Sequence, residues 1–448
     1  MREKRTAQRS IFDFFAAHDI GRELKAMSDW LDSHAEVLAW VEQDLRQGPV
    51  EESGRKGQTV ESVLRCALLK QYRQLSYEEL AFYLLDSVSF QAFARLPLEF
   101  VPKKAALQRN IARIKASTWE RINHGLLPQA QQDKIEPGRM IRLDSTVTET
   151  PIHAPSDSSL LWDGVRVLVR LFEQAQALPG APMLAYQDHR RRAKKRMQAI
   201  DYSRGEAKKA KLYRDLLKVT RQSLAYLDQI EADLKASAVD PLLWAVWRCE
   251  VERYRPLIER VIAQTERRLF QGESVPAAEK IVSLFEPHTD IIVKARRDTQ
   301  FGHKLNLTTG KSGLILDAVV EAGNPADSVR FIPMLERHIE HYGRAPRQAA
   351  ADGGYASADN VQQAKARGVH DVAFHKKRGL TVEVMTKSPW VYRKLRNFRA
   401  GIEAGISCLK RAYGLARCTW KGLEHFKAYV WSAIVAHNLS VFARLKPA

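Results

Sequence analysis

At residue 139 the sequence changes period. Upstream, from about residue 10, apolar residues recur every three or four positions, as in LKAMSDWLDSHAEVLAWVEQDL and TVESVLRCALLKQY, the spacing of helices with one buried face. RMIRLDSTVTET then alternates and is rich in strand formers, so it reads as a strand. From about 157 to 285 the pattern is helical again, with no convincing strand. Strand-like pieces return as DIIVKAR, FGHKLNLTT and SGLILDAVVEAG, the last two joined by a hairpin-length turn from Thr309 to Gly313. Pro325 breaks the last of these, and Asp327 is placed to cap a helix over 328–342. RQAAAD reads as a short strand, SADNVQQAKARG as a helix from Ser357 to Gly368, and VHDVAFHKK as a strand; a long helical stretch starts near 391. A first strand cut off from its partners by more than a hundred helical residues points to one plan. It is an α/β domain with a mixed five-stranded sheet, interrupted by a large helical insertion.

The length of 448 residues suits about three domains. The expected division is a helical region over 1–52 and a helical domain over 53–137. The α/β domain takes 138–164 and 286–420, the basic helical insertion 165–285, and a C-terminal helix 421–448. In the second of these, Ser76 and Glu79 make a capping box. Short helices with tight turns and the basic residues Lys103, Lys104, Arg109 and Arg113 fit a helix-turn-helix reader of DNA. A plain helical dimerisation domain fits the same pattern equally well.

The formal charge is +19, which calls for a polyanionic partner. Residues 189–221 hold 13 Lys and Arg against 3 acids, including Arg190, Arg191, Arg192, Lys194, Lys195 and Arg196. Residues 391–421 hold 8 against 1. A solvated helix face mixes signs, and these do not, so contact with a nucleic-acid backbone is the better reading. No apolar run reaches the roughly 18 residues of a membrane span. The basic N-terminus lacks the long apolar segment of a signal peptide. Cys66, Cys249, Cys408 and Cys418 have no metal-binding spacing and read as reduced thiols of a cytosolic protein.

Three acids stand where chemistry is expected. Asp144 sits on the first strand, Asp352 ends RQAAAD, and Glu403 lies on the helix that follows VHDVAFHKK. Strand ends of an open α/β sheet are where ligands bind, and hard oxygen ligands suit Mg²⁺. Gly353 and Gly354 are read as leaving room for a metal and a phosphodiester beside Asp352. Gly401 and Gly405 flank Glu403 at a helix-propensity cost of about 1 kcal/mol each, as if something comes close to that face. Arg399, Glu403 and Lys410 lie close to one helical face.

The spacing R-x3-E-x6-K formed by these last three resembles the signature around the third acid of DDE transposases of bacterial insertion sequences. FGHKLNLTTGKSGLILDAVVEAGNPADS looks like their second and third strands, ADGGYAS like the segment with their second acid, and RLDSTV like that with the first. SYEELAFYLLDSVSFQAF resembles their N-terminal helical domain, and FDFFAAHDIGRELKAMSDWLDSH is similar to the ISNCY-like group. Where related families place a Tyr three residues before the Arg, this chain has Arg396, with Tyr392 one turn earlier.

The resemblance implies a ribonuclease-H-like catalytic domain acting on double-stranded DNA. Two Mg²⁺ ions, with Mn²⁺ as a substitute, would activate an attacking oxygen and stabilise a leaving one. Asp144 would bridge both ions, with Asp352 on one and Glu403 on the other. Arg399, Lys410, Lys304, Arg396 and Arg411 would join the basic runs in holding DNA. Trp162, Trp244, Trp247, Trp390 and Trp420 are candidates for stacking on bases, or for core. A homodimer or higher assembly on DNA is expected, with Phe12, Phe14, Phe15, Trp30 and Trp40 as first candidates for the contact. The expected place of action is the bacterial nucleoid. A domesticated DNA-binding derivative and a nuclease or resolvase on the same fold are the alternatives.

Overall fold

The computed structural model describes residues 18–46, 57–97, 100–294 and 298–445. Phe12, Phe14 and Phe15, and most of the linker read at 53–58, lie outside them. The chain divides into two compact units, one of residues 1–151 with 302–448 and one of residues 152–301.

The first unit begins with seven helices: α1 (Asp19–Ser33), α2 (Ala35–Leu45), α3 (Val60–Tyr72), α4 (Tyr77–Asp86), α5 (Val88–Phe93), α6 (Lys104–Ile111) and α7 (Ala116–Gln132). The capping box at α4 forms in full: Ser76 accepts from the Glu79 amide, and Glu79 accepts from the Ser76 amide. β1 (Met140–Glu149) follows.

The second unit holds α8 (Asp157–Gln176), α9 (Arg190–Asp201), α10 (Glu206–Lys235), α11 (Pro241–Leu269) and β2 (Asp290–Lys294). Its four helices share a core of their own, including Leu168, Phe172, Leu216, Leu227, Trp247 and Ile258. Gly164 lets α8 and α11 approach, since a Cβ there would stand 3.3 Å from Ile258.

The chain continues through β3 (Asp298–Thr309), β4 (Ile315–Val320), α12 (Phe331–Tyr342), β5 (Gln348–Ala351), α13 (Ala358–Ala366), β6 (Asp371–Phe374), α14 (Val382–Met385), α15 (Pro389–Ala412) and α16 (Leu423–Leu445). The sheet has six strands rather than the expected five, in the order β2-β3-β1-β5-β6, with β4 also on β3. DIIVKAR makes the difference, because it pairs as a full strand. β1 runs antiparallel to β3 and parallel to β5, and β6 is parallel to β5, so the sheet is mixed. Ala349, Ala350 and Ala351 are small because β5 is fully buried between two parallel neighbours. At the return into the first unit Gly302 lies opposite Glu149, where a Cβ would stand 2.7 Å from the Glu149 Cα.

The hairpin turn between β3 and β4 is held by buried Glu136, which accepts from the Ser312 amide at 2.9 Å and hydroxyl at 2.7 Å. Asp327 does not cap α12. It heads a short 3₁₀ turn, Asp327–Arg330, and pairs with Lys304, while α12 starts at Phe331 without a side-chain cap. Ser357 does cap α13. α16 is buried along most of its length, and its one inward amide, Asn438, is fully used. It donates to Asn123 of α7 at 2.6 Å and to the Ile315 carbonyl at 2.7 Å, and accepts from the Ile315 amide at 2.9 Å. Burying such an amide is tolerated only when its partners are supplied.

Candidate active site

Register brings the first two acids together. β1 and β5 pair in parallel with Leu143 beside Ala351, so the next residues, Asp144 and Asp352, stand on adjacent strands. Asp352 is the first residue past β5 and opens a 3₁₀ turn, Gly353–Tyr355. Glu403 arrives on α15. That helix starts cleanly, with Ser388 accepting from the Val391 amide and Pro389 in its first turn. Val391, Leu395, Ile402 and Leu409 form its buried stripe, and Arg399 occupies a position within that stripe.

Arg399 is therefore buried where an apolar residue would be expected, and it is the hub of the site. Its Nη2 donates to Asp144 Oδ2 at 2.9 Å and lies 3.5 Å from Asp352 Oδ1. Its Nη1 donates to Glu403 Oε1 at 2.6 Å. The three acids thus surround one guanidinium. Arg399 Nε is buried without a hydrogen-bond partner. Side-chain exposure rises from 14 % for Asp144 to 40 % for Asp352 and 65 % for Glu403. Below them Tyr355 is buried and donates to Asn306 Oδ1 at 2.6 Å. Burial first, then the nearby carboxylates of Asp327, Asp144 and Asp352, raises its phenol well above the usual range, so it stays a neutral donor.

The glycines are explained differently from the expectation. A Cβ on Gly353 would stand 2.7 Å from Lys376 Cβ, and one on Gly354 2.6 Å from Asp327 Oδ2. The space beside Asp352 is filled by those side chains, and the glycines let the turn fit against them. Gly401 admits the Arg142 guanidinium, which donates to the Phe398 carbonyl at 2.7 Å and lies over the Phe398 ring. Only Gly405 of the four faces open space.

Several residues expected on DNA are occupied elsewhere. Arg399 is committed to the acids rather than free for a phosphate. Lys304 is buried, paired with Asp327 and donating to the Pro325 carbonyl at 2.7 Å. Lys410 lies eleven residues beyond Arg399, about 16 Å along the helix, and lines a separate cavity. Arg396 and Arg411 are exposed on α15.

On α9, Arg190 pairs with Asp188 and Glu173, and Arg192 and Arg196 share Asp215. Arg191, Lys194 and Lys195 are exposed, with no ion pair among the described residues. Lys103, Lys104 and Arg109 are exposed at α6, Lys104 in an ion pair with Glu78 at 3.1 Å.

The tryptophans mostly pack within the chain. Trp30 is buried and stacked on His34, Trp40 is covered by Arg121, and Trp247 donates to the Leu171 carbonyl. Trp420 is buried too, Trp162 and Trp244 carry Arg166 and Arg248, and Trp390 is exposed. In the N-terminal helices the exposed apolar side chains are instead Phe82, Leu85 and Val88.

His124, Asp317 and His341 also cluster, with candidate ligand atoms within 4.8 Å of one another, a grouping that sequence spacing does not reveal. Asp317 pairs with Thr308 of β3, as does Leu143 of β1, so it points to the opposite face from Asp144. Its carboxylate is also held at both oxygens by Arg337. This cluster is not part of the acid site.

Residues 292–439 match the transposase DDE domain, and residues 11–113 match the transposase domain model (DUF772). The chain carries two transposase domains, the first of them a DDE domain. The first match spans Asp352, Arg399 and Glu403, and β1 with Asp144 lies before it. No curated protein and no solved structure matches. The transposase DDE domain implies a ribonuclease-H-like fold, and the mixed sheet with flanking helices agrees with it. A transposase of this kind acts on DNA. Among the described residues no helix is long and apolar enough to cross a membrane.

The acids of this transposase suit a divalent cation. Three carboxylates face one guanidinium, and all the donors are hard oxygens, as Mg²⁺ requires.

Proposed function

We propose that the chain is a DNA transposase of the ISNCY-like group. It binds the terminal inverted repeats of its insertion sequence, hydrolyses phosphodiester bonds there to free 3′-OH ends, and joins those ends to target DNA in the nucleoid. The observation that carries this reading is the meeting of Asp144, Asp352 and Glu403 around Arg399. Two Mg²⁺ ions, or Mn²⁺ in their place, would be held by Asp144, Asp352 and Glu403. Such ions, when bound, supply the charge that activates an attacking oxygen and stabilises a leaving one.

The protein's own residues set the conditions. Arg399 keeps the carboxylates from repelling one another apart and fixes Asp144 and Glu403 in orientation. Asp144, the most enclosed acid, is the fixed point. Glu403, the most exposed, is free to turn toward a ligand. The neutral Tyr355 holds Asn306 beneath the pair without adding charge. Exposed cations at α6, α9 and α15 take the DNA backbone: Lys103, Lys104, Arg109, Arg191, Lys194, Lys195, Arg396 and Arg411. One chain carries one set of acids, so joining two ends calls for at least two chains on the DNA, and two-fold pairing is the commonest closed solution.

The test is incubation with flanking element ends, target DNA and Mg²⁺, with mapping of the products. Cut ends joined to target support the reading. Products cut by water alone would make the protein a nuclease or resolvase, and tight end binding without cutting would make it a domesticated binder.

A further inference from the structure

Lys70 is the most unusual cation in the first unit. It lies on α3, a helix buried on nearly all sides, and is 5 % exposed. No carboxylate pairs with it and no acceptor takes its protons among the described residues. Its ammonium lies 4.8 Å from the centre of the Tyr77 ring and 5.9 Å from that of Trp420. Burying a charge without a counter-ion is costly, and aromatic faces return only part of that cost. Burial also lowers its pKa to about 8.

The ammonium lines a cavity of about 610 Å³ that also draws in Lys104 from α6, Lys410 from α15 and Arg417 from the turn after it. The acids on its wall are already engaged: Glu78 with Lys104, and Glu79 in the capping box of α4. Lys410 too has no ion pair among the described residues, and burial lowers its pKa. The end of α15 that carries Lys410 and the turn that carries Arg417 are fixed in place. Gln74 donates to the Arg411 carbonyl, and the Tyr429 hydroxyl donates to the Gly414 carbonyl at 2.9 Å. Two sequence regions more than three hundred residues apart thus converge on one pocket in which Lys70 and Lys410 have no ion pair among the described residues.

We propose that this pocket seats a backbone phosphate of the bound DNA, with Lys70 at its floor and Lys410 beside it. The inference rests on the transposase reading above. A backbone phosphate is favoured over a free anion because the pocket opens among exposed cations, Lys103, Lys104, Arg109 and Arg417, that continue the contact along a duplex. It also fixes a position. Lys410 follows Arg399 on one helix by about 16 Å, and one strand of DNA advances about 3.4 Å per nucleotide. For a duplex whose axis follows α15, the seated phosphate lies about five nucleotides from the bond at the acids.

The experiment measures binding of an element-end duplex in which each phosphate in turn is an uncharged methylphosphonate. Wild-type protein should lose about tenfold in affinity at one position, about five nucleotides from the cleaved bond. Lys70→Met should bind the unmodified duplex about tenfold more weakly, with a salt slope smaller by about 0.9, and lose nothing further at that position. Lys410→Met should behave alike, and melting curves check that both variants fold.

Equal affinity and slope in Lys70→Met, or interference that persists in it, would overturn the proposal. So would stabilisation of the wild type by millimolar inorganic phosphate without any interference in DNA, which would mark a seat for a free anion. Wild-type protein that joins ends to target while Lys70→Met matches it overturns the pocket alone. Lys70-dependent interference in a protein that never cuts keeps the pocket and overturns the transposase reading.

Discussion

Arg65 and Arg399 are both buried arginines held by carboxylates, and they differ in how the charge adds up. Arg65, fully buried on α3, pairs with Glu61 at 3.1 Å and Asp32 at 3.0 Å, and also donates to Ser28 and the Phe93 carbonyl. Arg95 meets the same two acids. Two cations thus face two anions, and the network ties α1, α3 and the end of α5 together. Burial still lowers the Arg65 pKa to about 10. Arg399 faces three acids, Asp144, Asp352 and Glu403. The first arrangement balances its charges, whereas the second sets one described cation against three anions, at the edge of solvent. A balanced network is a structural tie, and an unbalanced one is a place for something to bind.

The sharpest way to break this contrast is to change one charge in each. Asp352→Asn should lower cleavage of element ends on the order of 10³-fold or more while end binding in a gel shift stays within a factor of two. Cutting that survives would remove Asp352 from the site. Arg65→Met should instead act on stability. It leaves Arg95 to face both Glu61 and Asp32, with Glu61 still buried, and urea unfolding should show a loss of roughly 3 kcal/mol.

Lys70 extends the series to a cation with no ion pair among the described residues. Its folded pKa of about 8 lies below the unfolded value near 10.5, so the fold disfavours its charge, by on the order of 3 kcal/mol at most. Lys70→Met should therefore raise the melting temperature at pH 7. Between pH 8 and 10.5 the unfolded state holds the proton more than the folded state does, so this penalty fades as pH rises. The gap between variant and wild type should close over that window. A gap constant from pH 7 to 10.5 would mean that the fold leaves the Lys70 pKa where it is in the unfolded chain.

The smallest effect belongs to Arg399→Gln. Without metal the three acids then repel, and the protein should melt lower. With Mg²⁺ at about five times its dissociation constant, stability of about 1 kcal/mol should return. Arg65→Met should show no such rescue.

How much of this was legible in the sequence follows from what each signal measures. Periodicity located the strand that carries Asp144 and the helix that carries Glu403, because both face a core on one side. DIIVKAR was legible as a strand but was not counted into the sheet, since an apolar run does not say what it pairs with. The glycines beside Asp352 read as open space for a metal and a phosphodiester, and the structure fills that space with Lys376 and Asp327, which the local sequence does not name. Lys304 read as a cation for DNA because β3 gives no hint that its outward neighbour is Asp327. Lys70 was not legible at all. In VESVLRCALLKQY a lysine is expected on the solvent face, and α3 has almost none, because other helices and the turn after α15 surround it. Burial by distant segments is a tertiary fact, and a local pattern does not carry it.

The meeting of Glu149 and Gly302 across the β1–β3 ladder has a consequence for the chain's architecture. Seen from the β1–β3 ladder, residues 152–301 are the connection of a hairpin, with β2 inside it. The entropic cost of closing a flexible loop rises about 0.6 kcal/mol with each doubling of its length, so about 4 kcal/mol separates a two-residue turn from 150 residues, and a folded unit whose own ends lie close avoids most of that cost. The sheet is in effect a socket whose two contacts are adjacent, and the helical unit is a cartridge. What the ladder asks of it is that its two ends emerge side by side at Glu149 and Gly302, the pairing that keeps the strand with Asp144 in register.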